Sequence, residues 1–153
     1  MRLMIKSALS TPRGFDFLQR AWLPIINRMG PQVEVTLERY GFYPAGGGRI
    51  VVKVTPSSSL AGFDLLERGN PVLKSAKVLI SNLPYGIAER EANTLVGMLS
   101  FEQQDVTIES VQSAGPGNIV FAEIQSQNVT ELATGFGRVG ASADCQCGAM
   151  IVS

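Results

Sequence analysis

A glycine run between two apolar segments is the part of this chain whose residue types best suit contact with a phosphate. Residues 40–50 read YGFYPAGGGRI, so three consecutive glycines follow closely after a proline. Such a run does not form the interior of a helix or of a well-packed strand, because glycine has no side chain to pack and loses much backbone entropy on ordering. The run lets the chain turn freely and lets another backbone or a phosphate approach closely. Two interpretations stay open, a hairpin connection and a ligand-binding loop.

Three cations flank the glycine run, namely Arg39, Arg49 and Lys53. They either contact a phosphate held by the loop or form a solvated strand face. The loop does not have the Walker pattern, because no Gly-Lys-Ser/Thr follows. It is not a dinucleotide fingerprint either, because the apolar alternation that follows predicts a strand and not a helix.

Histidine is absent from the 153 residues. The chain therefore offers no imidazole for acid and base work near neutral pH, for a nucleophile or for a metal ligand. Cys145 and Cys147 are too few for a disulfide scaffold, and a Cys-x-Cys pair alone is no zinc site. From these residues we predict no catalytic residue and no metal site.

The composition is that of an ordinary globular chain, with 45% hydrophobic residues, 17% charged residues and a formal net charge of zero. Any nucleic-acid contact must be local, because no overall basic field exists. No stretch approaches the ~18 apolar residues of a membrane span. The first residues are too short in their apolar part for a secretory signal. We expect a cytoplasmic protein with reduced thiols and no contact with a membrane.

The first half predicts a helix followed by two strands around the glycine run. Apolar residues recur at helical spacing from Phe15 to Met29, and Pro24 is expected to kink this helix or to end its first half. The Phe/Trp stripe of the helix is predicted to be core and not a stacking platform. Alternating apolar residues predict strands over Val33–Leu37 and Ile50–Val54.

The second half predicts a strand, a helix and three further strands. The strand over 72–80 and the helix over 87–99 are separated by Pro84-Tyr85-Gly86. Further strands are expected over 106–111, from Ile119 and, more weakly, over 129–136, with a turn at 115–118. The predicted class is α+β, with a four-stranded sheet and one helix. A helix of about 13 residues spans only roughly 20 Å, so we expect it to cover this sheet poorly.

The motifs carry a family resemblance. GFYPAGGG over 41–48, followed by an apolar residue after Arg49, resembles the signature of the RNA 3'-terminal phosphate cyclase family, although that signature has a basic residue where this chain has Tyr40. The helix from Phe15 to Gly30 also resembles the family, and three further motifs recur in the family's order: ERGN (67–70), AERE (88–91) and GPGN (115–118). The resemblance covers about Phe15 to about Ser142.

The resemblance implies a core of repeated βαβαββ-type units and a smaller insert domain of four strands and two helices. On this basis we expect a partial cyclase core with the glycine loop over 1–56, a connector over 57–69, an incomplete insert domain over 70–142 and an atypical tail over 143–153.

The implied reaction is ATP-dependent conversion of an RNA 3'-phosphate to a 2',3'-cyclic phosphate. It passes through an adduct of AMP on a histidine, which this chain lacks, and it uses a metal, Mg²⁺, with ATP. The family's N-terminal glycine-rich segment has no counterpart here either. We therefore expect an inactive fragment that binds neither ATP nor Mg²⁺. A gene remnant with unrelated sequence at both ends, or a cloning artefact, would explain why these family features are missing.

Few site residues are carried over by the resemblance. Pro12 lies near the family's proline-rich stretch beside the adenosine pocket, which makes it the candidate cofactor-binding residue. The signature loop contributes Gly41, Pro44, Gly46, Gly47 and Gly48. The expected partners are RNA 3' ends.

Two alternatives to a truncated cyclase remain from the sequence. One is a non-catalytic, cyclase-like module for RNA binding or ribosomal RNA maturation. The other is a self-associating scaffold domain. Because uncovered apolar faces and open strand edges pair with other chains, we also expect a homo-oligomer, in the form of a two-fold dimer.

Overall fold

The computed structural model describes residues 2–5, 12–43, 45–99 and 101–135, which form two β-sheets with helical segments packed on them. The α+β class expected from the sequence is confirmed. The strands are β1 (Arg2–Ile5), β2 (Gln32–Arg39), β3 (Arg49–Thr55), β4 (Pro71–Ser81), β5 (Val106–Ser110), β6 (Gly117–Ser126) and β7 (Thr130–Gly135). The helical segments are α1 (Pro12–Asp16), a π-helical turn (Phe17–Trp22), α2 (Leu23–Arg28), α3 (Tyr85–Leu99) and a 3₁₀ turn (Gln103–Asp105). No helix in these ranges is long and apolar enough to cross a membrane.

The first sheet is antiparallel, with the strand order β1-β3-β2. Val35 of β2 lies opposite Val52 of β3, so the alternating apolar residues of both strands share one face. That face packs on Phe15 and Leu23 of the helical segment. The two strands expected around the glycine run are present, whereas β1 was not predicted from the sequence.

The helix before β2 runs from Pro12 to Arg28 with a widened turn in its middle. At that turn the N–H of Leu23 donates to the carbonyl of Leu18, five residues earlier. Pro24 explains the widening, because a proline ring clashes with the carbonyl four residues before it and cannot donate to it. The prediction that the Phe/Trp stripe is core is right for Phe15 and wrong for Trp22, which is 46% exposed. A π-helical turn holds more residues than an α-helical turn and so displaces later side chains from the 3.6-residue period.

The second sheet has the strand order β5-β4-β6-β7. Strands β4 and β5 are parallel and joined through α3, while the other pairs are antiparallel. Every predicted element of this half is present. One face of the sheet packs on α3, and the residues buried there are Ala76, Val78, Ile80, Ala88, Ala92, Leu95, Phe101 and Val120.

The opposite face of the second sheet is covered by the first half of the chain. Phe42 of the glycine loop is 4% exposed and packs with Leu79, Ile119 and Phe121. Arg20 of the π-helical turn reaches Glu123 of β6 at 2.6 Å. The expectation of a poorly covered sheet was therefore wrong, because it counted only the helix that follows β4 in sequence.

The segment from 56 to 70 contains neither helix nor strand, as a connector should. The N–H of Ala61 donates to the carbonyl of Met29 at 2.9 Å, and the guanidinium of Arg28 lies 4.1 Å from the centre of the Phe63 ring. The connector therefore packs along the end of α2. The division of the chain into a partial core, a connector, an insert domain and a tail stays a prediction.

Candidate functional site

The glycine loop, defined here as residues 40–48, is a closed turn. Gly46 donates its N–H to the carbonyl of Phe42 at 2.7 Å, and a side chain at Gly41 would come within 2.5 Å of the Gly48 nitrogen. Gly46 and Gly47 have φ of 64° and 78°, values that L residues with side chains rarely adopt. Pro44 lies outside the described residues.

The glycine loop packs on a second glycine-containing loop, residues 113–117. A methyl group at Gly115 would lie 2.5 Å from the Ala45 methyl, and one at Gly117 would overlap the Phe42 ring. Tyr40 also pairs with Ser113 through an isolated β-bridge. Both loops therefore need their glycines for close approach. Two motifs that are far apart in the sequence form one contact.

Polar groups lie at the end of β4 beside the same loop. Asn82, with φ of 52°, donates its side-chain N–H to the carbonyl of Ser113 at 3.2 Å. The hydroxyl of Ser113 donates to the Gly115 carbonyl at 2.6 Å and lies 3.1 Å from the Ser81 hydroxyl. These bonds hold the loop at residues 113–117 against the sheet.

The AERE and GPGN motifs meet at a carboxylate. The side-chain amide of Asn118, itself 6% exposed, donates to Oε1 of Glu91. Oε2 of Glu91 is buried and has no hydrogen-bond partner in the described part of the chain. Burial raises the pKa of Glu91, against the smaller opposing effects of the Asn118 hydrogen bond and the Arg90 charge.

The ERGN motif holds the turn between β6 and β7. The carbonyls of Arg68 and Asn70 accept the N–H groups of Asn128 and Gln127 at 3.2 and 3.1 Å. Arg68 also pairs with Glu131 of β7 at 3.0 Å. Gly69 has φ of 77°, and any side chain there would meet Gln127, so this motif is used for packing.

Two of the three predicted phosphate-contacting cations are in ion pairs, although Arg39 and Arg49 lie opposite each other where β2 and β3 meet the glycine loop. Arg49 pairs with Glu38 at 3.5 Å, and Lys53 pairs with Glu34 at 3.1 Å on the outer face of the first sheet. Arg39 is exposed and has no ion pair within the described residues. Pro12, the candidate cofactor-binding residue, begins α1, and its side chain lies outside what the structure describes.

A cleft of about 220 Å³ between the π-helical turn and β4 was missed from the sequence. Arg20 bridges Asp16 at 3.3 Å and Glu123 at 2.6 Å there, and Lys77 nearby pairs with Glu109 at 3.1 Å. Burial raises the pKa of Asp16, against the opposing charges of Arg20 and Lys77. Because these side chains come from several separate elements, no sequence spacing reveals the cleft. Arg20 and Lys77 are already paired, and Lys74, which also lines the cleft, has no carboxylate partner among the described residues.

Two exposed aromatic side chains were also missed. Tyr43 on the glycine loop is 90% exposed, and Tyr85 at the start of α3 is 52% exposed. Neither was considered as a binding residue, because Tyr43 lies within the signature and Tyr85 within a predicted helix breaker. Exposure of a ring is decided by packing, which the sequence does not show.

The structure joins two sheets: an antiparallel sheet that packs on the first helical segment, and a mixed four-stranded sheet. The two glycine-containing loops, residues 40–48 and 113–117, pack on each other where the sheets meet. Residues 9–150 match the family model described as RNA 3'-terminal phosphate cyclase. This range is wider at both ends than the range from Phe15 to Ser142 over which the motifs carry the resemblance. The chain belongs to the RNA 3'-terminal phosphate cyclase family.

Curated relatives agree with the family model. An RNA 3'-terminal phosphate cyclase of Koribacter versatilis is 44% identical over 131 residues, which are 85% of this chain and 37% of the relative. One of Salmonella enteritidis is 40% identical over 129 residues, which are 84% of this chain and 38% of the relative. One of Salmonella typhimurium is 40% identical over 130 residues. The chain spans a little over a third of the length of these relatives.

Proposed function

We propose that these residues form the signature-loop part of an RNA 3'-terminal phosphate cyclase and act on RNA 3' ends. The observation that carries the proposal is the contact between Phe42 of the glycine loop and Gly117 of the GPGN motif. Both residues lie in motifs shared with a family whose members are named for cyclisation of RNA 3'-terminal phosphates. The activity would convert a 3'-phosphate to a 2',3'-cyclic phosphate in an ATP-dependent reaction in the cytoplasm.

The 153 residues do not fit the adenylylation step that the resemblance implies. They contain no histidine, and within the described ranges no three side chains of the His, Cys, Asp or Glu type are placed to hold a metal ion. Gly46 uses its N–H inside the loop, and Arg49 and Lys53 are paired with carboxylates. We therefore propose that these residues contribute RNA contacts and a packing scaffold, and that they carry neither AMP nor Mg²⁺ themselves.

Labelling with ATP tests the adenylylation part of the proposal. The purified 153-residue chain is incubated with α-labelled ATP and Mg²⁺, and the cyclase of Koribacter versatilis is run beside it as the positive control. We expect acid-labile label on the control and none on this chain. Stoichiometric acid-labile AMP on this chain would contradict the proposal, because another residue would then have to act as the nucleophile.

Binding to RNA tests the remaining part. Fluorescence anisotropy is measured with one short single-stranded RNA prepared with a 3'-phosphate and with a 3'-hydroxyl. A cyclase predicts tighter binding of the 3'-phosphate form. Equal binding of the two forms would favour the second candidate, a non-catalytic RNA-binding module.

The dimer expected from the sequence is not part of this proposal. It rested on uncovered apolar faces and open strand edges in both halves of the chain, and Phe42 covers one of these faces, on the second sheet. Self-association stays a prediction that light scattering tests.

A further inference from the structure

Two exposed tyrosines lie close in the chain to residues that contact the loop at residues 113–117. Tyr43 directly follows Phe42, whose ring packs on Gly117, and it lies two residues before Ala45, which contacts Gly115. Tyr85 lies three residues after Asn82, whose side chain bonds the carbonyl of Ser113. Three residues of extended chain reach at most about 11 Å, so the backbone of Tyr85 starts α3 close to Asn82, while Tyr43 belongs to the loop that packs on residues 113–117.

Two arginines close to these tyrosines in the sequence, Arg39 and Arg90, form no ion pair within the described residues. Among the cations whose side chains the structure describes, those without a carboxylate partner are Arg28, Arg39, Lys74 and Arg90. Arg39 lies at the end of β2, one residue before the glycine loop. Arg90 lies in α3, where its Nε donates to the carbonyl of Gly86 at 3.3 Å, next to Tyr85.

The other exposed large apolar side chains lie elsewhere. Phe17 and Trp22, 36% and 46% exposed, lie in the π-helical turn, where Arg20 is already paired with two carboxylates. Leu60, Leu65 and Leu66 belong to the connector, and Val72 and Leu73 begin β4. Among the described side chains, the unpaired guanidinium in contact with the connector is that of Arg28, which stacks on Phe63. The combination of an exposed ring with an unpaired arginine therefore occurs, within the described residues, in the two segments that contact residues 113–117.

We infer that Tyr43 and Tyr85 form a stacking platform for the unpaired bases of a single-stranded RNA, with Arg39 and Arg90 contacting its phosphates. This inference rests on the proposed RNA function and assigns its contact surface. Single-stranded RNA is bound by bases stacked on aromatic rings and by cations that follow the backbone. Tyrosine suits the role because the ring keeps an exposed face while its hydroxyl stays in water.

The platform has a distinctive dependence on salt. Neutralising each phosphate of a single strand contributes a slope of about −0.7 in log K against log salt. Two unpaired arginines therefore give a slope of about −1.4, which is shallow for a nucleic-acid-binding protein. Glu89 in the first turns of α3 keeps the local field weak, so stacking should dominate the affinity.

The test measures anisotropy of a short, 5'-fluorescein-labelled single-stranded RNA of mixed sequence that ends in a 3'-phosphate. Tyr43→Ala and Tyr85→Ala should each weaken binding about 5- to 150-fold, the change that base stacking on one ring corresponds to. Tyr43→Phe and Tyr85→Phe should restore most of the affinity, because they keep the ring. Leu66→Ala is the matched control, since Leu66 is 88% exposed and lies on the connector.

A second pair of variants tests the phosphate contacts. Arg39→Gln and Arg90→Gln should each reduce the salt slope by about 0.7, and Arg28→Gln should leave it unchanged. Circular dichroism shows whether each variant is folded. If the unaltered chain binds RNA and the tyrosine variants bind equally well, this surface is not the platform, while the proposed RNA function stands. If the unaltered chain binds no RNA, both proposals fail.

Discussion

The two faces of the second sheet are covered in different ways. The face under α3 is aliphatic, and its cover follows β4 directly in the sequence. The other face is apolar around Phe42 and polar towards β7 and β5, where the pairs of Arg20 with Glu123 and of Lys77 with Glu109 lie beside the 220 Å³ cleft. A half-polar contact between two parts of a chain resembles the interfaces between domains, which open more readily than a core. We expect the first half of the chain to detach before the α3 face unfolds.

The largest expected effect comes from removing the Phe42 ring. Phe42→Ala should lower the free energy of unfolding by about 3–5 kcal/mol, because it leaves a cavity where a buried ring packs on Leu79 and Ile119. The neighbouring change Tyr43→Ala should alter it by no more than about 0.5 kcal/mol, because that side chain is 90% exposed.

Urea unfolding monitored by two probes distinguishes detachment of the first half from unfolding of the sheet that packs on α3. The single tryptophan, Trp22, lies in the first half and reports on it by fluorescence, whereas far-ultraviolet circular dichroism reports on both sheets. In Phe42→Ala the fluorescence transition should come at lower urea than the dichroism transition. Coincident transitions in this variant would mean that the two faces unfold as one unit.

A smaller effect is expected at the turn that presents Phe42. Gly47→Val should cost about 1–3 kcal/mol, because valine is strained at a φ of 78° and its Cβ would lie 3.4 Å from the Ala114 methyl. Gly62→Val is the control, because Gly62 has no positive φ and has open space around it. Equal melting temperatures for the two variants would argue against a strained turn.

The smallest effect concerns Glu91 of α3 and is recognised by its dependence on pH. Burial raises the pKa of Glu91 above 4.5, so the folded state binds this proton more tightly than the unfolded state. The wild-type chain should therefore gain stability as the pH falls through the raised pKa towards 4.5. In Glu91→Gln, whose amide oxygen still accepts from Asn118, this contribution should disappear and stability at neutral pH should rise slightly.

Thermal melts of Glu91→Gln and of the exposed control Glu89→Gln, taken from neutral pH down to 4.5, check this expectation. Only the variant at Glu91 should flatten the profile. Identical profiles for the two variants would show that the carboxyl of Glu91 has an ordinary pKa in the folded chain.

The local spacing of apolar residues was sufficient to predict most of the helices and strands. The alternation of Val33, Val35 and Leu37 has the two-residue period of a strand with one buried face, and it predicts β2 correctly. The helical spacing of Ala88, Ala92 and Leu95 likewise predicts the buried side of α3. β1 was missed because a strand of four residues at the edge of a sheet owes its structure to pairing with β3, and pairing is not local.

The candidate site was less accessible to sequence reasoning. The glycines were found because positive φ restricts the choice of residue at a position, and this restriction is visible in the residue itself. The partner of the glycine loop was not found, because contact between Phe42 and Gly117 depends on the docking of two sheets. The ion pair of Arg20 with Glu123 was not found either, because it also joins the first half of the chain to the second sheet.

The sequence by itself determined the family, the α+β class and the need for glycine at the turn, since each depends on residue identity or on a short period along the chain. Only the tertiary structure decided that Phe42 covers the second sheet, that Trp22 is half exposed and that the rings of Tyr43 and Tyr85 are exposed. The physical reason is that burial and proximity are properties of docked surfaces. Whether an aromatic ring becomes core or stays in water depends on which distant segment packs against it.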